Sequence, residues 1–352
     1  MGANAQLFLT IWQRGASTRD DLSLPTAPLG SFSAELAGSG LARYFQRQAF
    51  VGNGMTVLVG AAAMVALGTA IALVAGAGKA RRALAVLLGA SSLAVTSWLP
   101  SELVFARGAF ALWNILLVLR AIDLATEQRS SPLSVRLALM FVVFDARKVQ
   151  PCVARLDGRL LLHGLVFALL AALGLAGVLW GAPRVSGPAG SLFAWASGLL
   201  YVYTSIDAAA RLTVAVHQAR GVAVPPQHDN PILSRSVAEF WSRRWNLNVS
   251  AWLREHVFSP LAQRGHARWG LAAAFVVSAL LHWWLIHVAL GWAWSLPMAS
   301  FFVLQAVFIR LERALRIRRL APWLQHGWTV SVMLLTSPLF VAPFMELFVS
   351  LV

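Results

Sequence analysis

Runs of about twenty apolar residues recur along the whole chain, and each is long enough to cross a bilayer as a helix. From the N-terminal side they fall at about 55–76, 82–100, 103–122, 159–181, 190–214, 269–290, 295–312 and 327–350. In hydrocarbon no water meets a free backbone N–H or C=O, so such runs must close their hydrogen bonds internally and fold as helices. The third run carries Arg107, and a shorter one near 136–145 is expected to enter the membrane only partway. The expected fold is therefore all-α: a polytopic integral membrane protein with about eight transmembrane helices.

Composition agrees. The chain is 58% hydrophobic and 12% charged, whereas a soluble domain is about half apolar and about a quarter charged. Lys and Arg number 29 against 14 Asp and Glu. The arginines sit between apolar runs rather than on a water-facing domain, which argues against a nucleic-acid partner and for membrane lipid. Cys152 is the only cysteine, so neither an intrachain disulfide nor a thiolate metal cluster can form. The opening MGANAQLFLTIWQRGASTRDD lacks the pattern of a secretory signal, and Gln6 breaks the myristoylation pattern.

Positive charge alternates between the connecting loops. Lys79, Arg81 and Arg82 follow the first run, and Arg129, Arg136, Arg147, Lys148, Arg155 and Arg159 follow the third. Arg243 to Arg268 follow the fifth, and Arg313, Arg316, Arg318 and Arg319 follow the seventh. The intervening loops LPSE, GAPRVSGPAG and GWAWSLP are poor in it, so the basic loops are expected on the cytoplasmic side. Residues 1–54, with Arg14, Arg19, Arg43 and Arg47, depart from the alternation. They are expected to form an arm along the membrane surface, leaving 55–352 as the main domain. The source decides between the bacterial inner membrane and the endoplasmic reticulum.

Two stretches hold residues suited to chemistry. GVAVPPQHDNPI, residues 221–232, is a turn-bearing linker, and Ser236-Val237-Ala238-Glu239 after it matches a capping box. A helix is thus expected to start near Val237 and run through FWSRRWNLNVSAWLREHVFSPL, residues 240–261. On it Trp241, Trp245, Asn248 and Trp252 would form one stripe, with Arg243, Asn246 and Ser250 on another side and Glu239 paired to Arg243. Spacing alone makes this an interfacial anchor, but leaves its asparagines, costly near hydrocarbon, unexplained.

The second stretch, VVSALLHWWLIHVALGW, puts His282 within an apolar span, where an ionisable group needs a partner or a wet cavity. It is either a functional histidine or a neutral one that glues helices together. Ser278, one turn earlier, is placed to bond its other ring nitrogen and fix the tautomer. His287 lies about 140° further round the helix, which argues against a shared metal. Asp207 with Arg211, and Arg120 with Asp123, have the spacing of neutralising pairs. No GxSxG elbow, phosphate loop or cysteine pair is present.

The block FWSRRWN resembles the "FWGRRWN" block of the wax synthase branch of the membrane-bound O-acyltransferases, with Phe240, Trp241, Arg243, Arg244, Trp245 and Asn246 matching in order. Upstream, LYVYTSIDAAARL and HDNPILSRSVAEF are similar to that family's approach to the block; downstream, VSALLHWW resembles its "SGLLHE" span, with His282 on the family histidine. Weaker similarity begins at ALWNILLVLRAIDL, residues 111–124, and extends to the last span. The resemblance implies acyl transfer from acyl-CoA, as co-substrate, to the hydroxyl of a hydrophobic alcohol within a chamber of membrane helices. It implies no metal and no permanently bound cofactor.

By the same resemblance His282 is the catalytic base and Asn246 the second active-site residue. Trp245, Arg243, Arg244, Trp241 and Ser278 fall to the substrate side, and Arg243, Arg244 and Arg254 become candidates for the coenzyme A phosphates. Where the family has a glutamate after the histidine, this chain has Trp283. That departure keeps open acyl or acetyl transfer to a terpenoid or other secondary-metabolite hydroxyl. A membrane transporter with His282 on a proton path is a reading from another class, and a non-catalytic scaffold is a further one.

Overall fold

A computed structural model describes residues 32–76, 78–127 and 131–349. The first 31 residues of the expected arm lie outside the described residues. From there α1 runs Phe32–Val74, α2 Lys79–Trp98, α3 Val104–Thr126 and α4 Leu133–Phe141. Next come α5 (Gly158–Ala176), which continues through a π turn at Gly177–Gly181, and α6 (Gly187–Ala219). The short helices α7 (Val237–Glu239), α8 (Leu247–Leu253) and α9 (Ser259–Gln263) follow. The chain then forms α10 (Ala267–Leu290), α11 (Trp292–Ala314), α12 (Pro322–Thr336) and α13 (Pro338–Val349). A two-residue antiparallel ladder, β1 (Gln150–Pro151) with β2 (Val222–Ala223), ties the loop after α4 to the end of α6.

The molecule is an all-α, multi-pass membrane protein, with a smaller span count than the sequence suggests. Among the described residues, six helices are long and apolar enough to cross: Asn53–Val74, Val104–Thr126, Gly158–Arg184, Gly187–Ala219, Ala267–Leu290 and Trp292–Ala314. A seventh crossing is reached if α12 and α13, bent by 49° at Ser337, count as one span. The expected span at 82–100 is the one that falls short. Its helix, α2, opens on Lys79, Arg81 and Arg82 and carries Ser91, Ser92, Thr96 and Ser97. Two of those hydroxyls are buried inside the protein: Ser92 donates to the Gly89 carbonyl at 2.7 Å, and Asn114 donates to Thr96. Gly89 lets α3 approach, since a Cβ there would lie 2.8 Å from that of Ala121. The run near 136–145 becomes α4, nine residues and about 14 Å long, too short to span.

Outward faces are apolar in the manner of lipid-facing helices: Leu58 is 66% exposed, Leu169 61% and Leu280 58%. At one end the positively charged loops converge. Arg82 donates to the Glu127 carbonyl at 3.1 Å, joining the start of α2 to the end of α3. Trp252 donates to the Leu119 carbonyl at 3.2 Å, and His256 meets Asp123 at 2.8 Å. Val237 N–H donates to Glu312 at 2.7 Å, and His326 Nδ1 to the Ser234 carbonyl at 3.1 Å. The expected Arg120–Asp123 pair forms at 2.9 Å, and Asp123, 2% exposed, also draws in Arg147 at 3.4 Å.

Candidate active site

The serine half of the capping box is present, Ser236 Oγ accepting from Glu239 N–H at 2.9 Å, while the Glu239 carboxylate accepts from Arg235 N–H at 2.9 Å. The helix it starts does not run on as one rod. After α7 the backbone widens into a π turn, Phe240–Arg244, closed by Trp245 N–H donating to the Phe240 carbonyl at 2.8 Å. Trp245 is extended, and Asn246 is left-handed at φ 42°, a conformation asparagine tolerates better than most residues. Asn246 then caps α8, its side-chain carbonyl accepting from Val249 N–H at 3.4 Å. A second π turn, Arg254–Phe258, follows α8. Such five-residue turns recur at functional sites.

This break rearranges the expected stripe. In a π turn residue i faces i+5, so Glu239 pairs with Arg244, at 2.7 Å, instead of Arg243. Burial pushes the Glu239 carboxyl up, but the Arg235 N–H and the Arg244 guanidinium outweigh it and hold the group below its ordinary range. Arg244 also donates to the Asp229 carbonyl at 3.1 Å and is committed to structure. Arg243 is exposed and forms no ion pair among the described residues, while Arg254 donates to the Ser242 carbonyl at 3.0 Å. Trp252 turns into the protein, and the amide nitrogen of Asn248 is buried without a partner among the described residues.

Trp241 and Trp245 point to different tasks. Trp241 donates to Gln305 at 3.2 Å, and Gln305, fully buried, donates to Thr336 at 3.0 Å. That chain fastens the block to α11 and α12. Trp245 stacks on Phe240 and, on its other contacts, on His228 at 4.6 Å between centroids and Tyr203 at 6.0 Å. His228 Nδ1 lies 3.3 Å from Asp207, whose other oxygen receives the expected Arg211 at 2.7 Å.

His282 sits on α10 against Phe302, with ring centroids 3.9 Å apart, and 6.3 Å from Phe340. Its Nδ1 donates to the backbone carbonyl of Ser278 at 2.8 Å, so the serine acts through its main chain and not its hydroxyl. A carbonyl only accepts, so the proton is on Nδ1 and the lone pair is on Nε2. Nε2 has no hydrogen-bond partner among the described residues. Trp283, at the family glutamate position, stacks instead on His287 at 4.6 Å and meets Trp292 in a tilted contact at 5.3 Å. Orientation of the imidazole therefore comes from the helix backbone. Asn246 and His282 share no hydrogen bond. Trp241 bridges toward the histidine, its ring 5.6 Å from that of Phe302.

Beside this group lies a cavity of about 490 Å³ with almost wholly apolar walls. α6 packs along α5 and against α13, while α12 stands off from it across the cavity. Trp195 and Tyr203 of α6, Met333 and Ser337 beside the bend, and Phe340 of α13 line it. Phe240, Trp241 and Trp245 of the signature block form part of the wall. Tyr203, His228, Gln305, Glu312 and Phe340 escaped the sequence reading. Glu312 and Gln305 had a visible signal, as polar groups in or beside an apolar span. His228 and Phe340 had none, because only the fold brings them to Trp245 and His282.

Comparison with known proteins points to the same region. Residues 224–304 match the model of a family described as "Membrane bound O-acyl transferase family". The chain is 35% identical over 127 residues to "Probable long-chain-alcohol O-fatty-acyltransferase 9" of Arabidopsis thaliana, covering 34% of this chain and 36% of that protein. To "Long-chain-alcohol O-fatty-acyltransferase" of Simmondsia chinensis it is 32% identical over 128 residues, 33% of this chain and 35% of that one. To "Diacylglycerol O-acyltransferase 1" of Bos taurus it is 34% identical over 72 residues, 19% and 14% of the two chains. The chain thus spans about a third of the length of these plant relatives. Through residues 224–304, which hold the signature block and His282, the chain is similar to the membrane-bound O-acyltransferases, among them long-chain-alcohol O-fatty-acyltransferases.

Proposed function

We propose that the chain transfers an acyl group from acyl-CoA to the hydroxyl of a hydrophobic alcohol, giving an ester and free coenzyme A. One observation carries the reading: His282 is held by the Ser278 carbonyl, with Nε2 unpartnered among the described residues, next to an apolar cavity walled in part by the signature block. Nε2 takes the hydroxyl proton as the alcohol oxygen attacks the thioester carbonyl carbon. The C–S bond then breaks, and the thiolate leaves with the proton that Nε2 had taken. The transient oxyanion needs a fixed donor. Asn246 suits this role, since its carbonyl is committed to the cap and its NH₂ has no partner among the described residues. Apolar walls keep out water, which would otherwise hydrolyse the thioester. Arg243, exposed and without an ion pair among the described residues, and Arg254 are assigned to the coenzyme A phosphates.

The test is ester synthesis by purified protein from labelled acyl-CoA and a panel of linear, branched and terpenoid alcohols. Full activity in His282→Ala would remove the proposed base. Ester from terpenoid alcohols alone would favour the secondary-metabolite reading, to which Trp283 in place of glutamate points. Proton flux in liposomes without ester would replace acyl transfer by transport.

A further inference from the structure

His282 makes ring contacts with Phe302 and Phe340, and of these two only Phe340 also lines the cavity. Phe340 lies one turn past the bend at Ser337, its N–H donating to the Ser337 carbonyl at 3.0 Å. It packs on Phe301 at 5.2 Å and is parallel to Phe344 at 5.9 Å. Two neighbouring aromatic groups on this wall are held more firmly. Phe301 is 3% exposed, and Trp241 is tied by its hydrogen bond to Gln305. Phe340 is only partly buried and borders open volume.

We propose that Phe340 is the specificity-determining residue of the site: an alkyl chain lies in the cavity between α6 and α12, and its reactive end meets His282 past the Phe340 ring. The proposal rests on the acyl-transfer reading for what happens at His282. A straight chain passes beside the ring, whereas a branch next to the reacting carbon competes with it for the same space. Substrates without such a branch are therefore preferred, and removing the ring relaxes the preference. The chain could belong to the acyl donor or to the alcohol; the ligand chemistry is the same.

The experiment uses the full chain in lipid nanodiscs with photoactivatable alkyl probes, one a fatty alcohol and the other a fatty acyl-CoA. Each is made unbranched and with one methyl branch beside the functional carbon. In the wild type, label is expected on residues 195–203 and 329–341, with the unbranched probe favoured roughly tenfold, the scale of a methylene-sized misfit. Phe340→Ala should bring the two probes to near parity, and Phe340→Leu should fall between. Leu335→Ala, at an exposed position that does not line the cavity, should leave the ratio unchanged. Whichever probe labels the cavity identifies the source of the chain. No label on those segments, or a ratio unmoved in both Phe340 variants, overturns the proposal. Ester synthesis is assayed separately, so loss of the acyl-transfer reading would leave the labelling ratio to judge Phe340.

Discussion

The Nδ1 of His282 donates to the main-chain carbonyl of Ser278 at 2.8 Å, four residues back on the same helix. Because the acceptor is backbone, the tautomer survives any side chain at 278 that keeps the helix. Ser278→Ala should therefore form ester at close to the wild-type rate. His282→Ala and His282→Gln should lose about 10²-fold or more, the usual worth of a general base. Steady-state rates with one acyl-CoA and one alcohol check this. A large loss in Ser278→Ala would assign the hydroxyl a role that the geometry does not.

Asn246 combines a left-handed backbone, a cap and a free amide NH₂, and three substitutions separate them. Asn246→Asp keeps the cap acceptor and tolerance of positive φ but removes the donor. Its melting temperature should stay near wild type while kcat falls about 10²- to 10³-fold, as for the loss of one oxyanion donor. Asn246→Gly keeps the backbone and loses the cap and donor. Asn246→Ala adds the left-handed penalty of roughly 1–2 kcal/mol and should be the least stable of the three. Equal rates for Asp and Asn at 246 would take the oxyanion role from this residue.

What could be read from the sequence was local. The Ser236 cap and the Asp207–Arg211 and Arg120–Asp123 pairs all lie within about one turn, and all are present. Errors arose where a local rule met an irregular backbone. The π turn at 240–244 moved the partner of Glu239 from Arg243 to Arg244 and turned the continuous helix at Trp245 and Asn246. Residues brought in from afar had no periodic signal. His228 joins Trp245 and Asp207 only because the linker 221–232 folds back along the block, with Leu247 N–H donating to the Gln227 carbonyl at 2.8 Å. Phe340 reaches His282 only after α12 and α13 bend apart.

The Glu239–Arg244 pair sets a pH dependence. Glu239 has its carboxyl held below the ordinary value of 4.5, because the Arg235 N–H and Arg244 outweigh burial. A lowered folded-state value means that the stabilisation is complete above 4.5 and is lost as pH falls through the lowered value. Glu239→Gln should therefore melt below wild type at pH 7, by about 0.5–1 kcal/mol for a partly exposed pair. The gap should close in acid. Thermal unfolding of both proteins across this range is the measurement, and a gap that stays constant into acid would contradict it.

Gln305 holds the signature block to the α11–α12 wall, accepting from the Trp241 indole at 3.2 Å and donating to Thr336 at 3.0 Å. Thr336 keeps a second bond, to the Val332 carbonyl at 2.8 Å, so the group most exposed to the loss of Gln305 is the Trp241 N–H. Gln305→Leu leaves that donor buried without a partner, at a cost of about 1–3 kcal/mol. Trp241→Phe removes the donor but also packing against Phe275, Phe301 and Phe302. In the double variant no indole N–H remains to be stranded, so the two losses should sum to more than the double shows. Melting curves of the four proteins test this. Simple additivity would mean that Trp241 is held by ring packing alone, and the hydrogen bond to Gln305 would then have no part in seating the block beside His282.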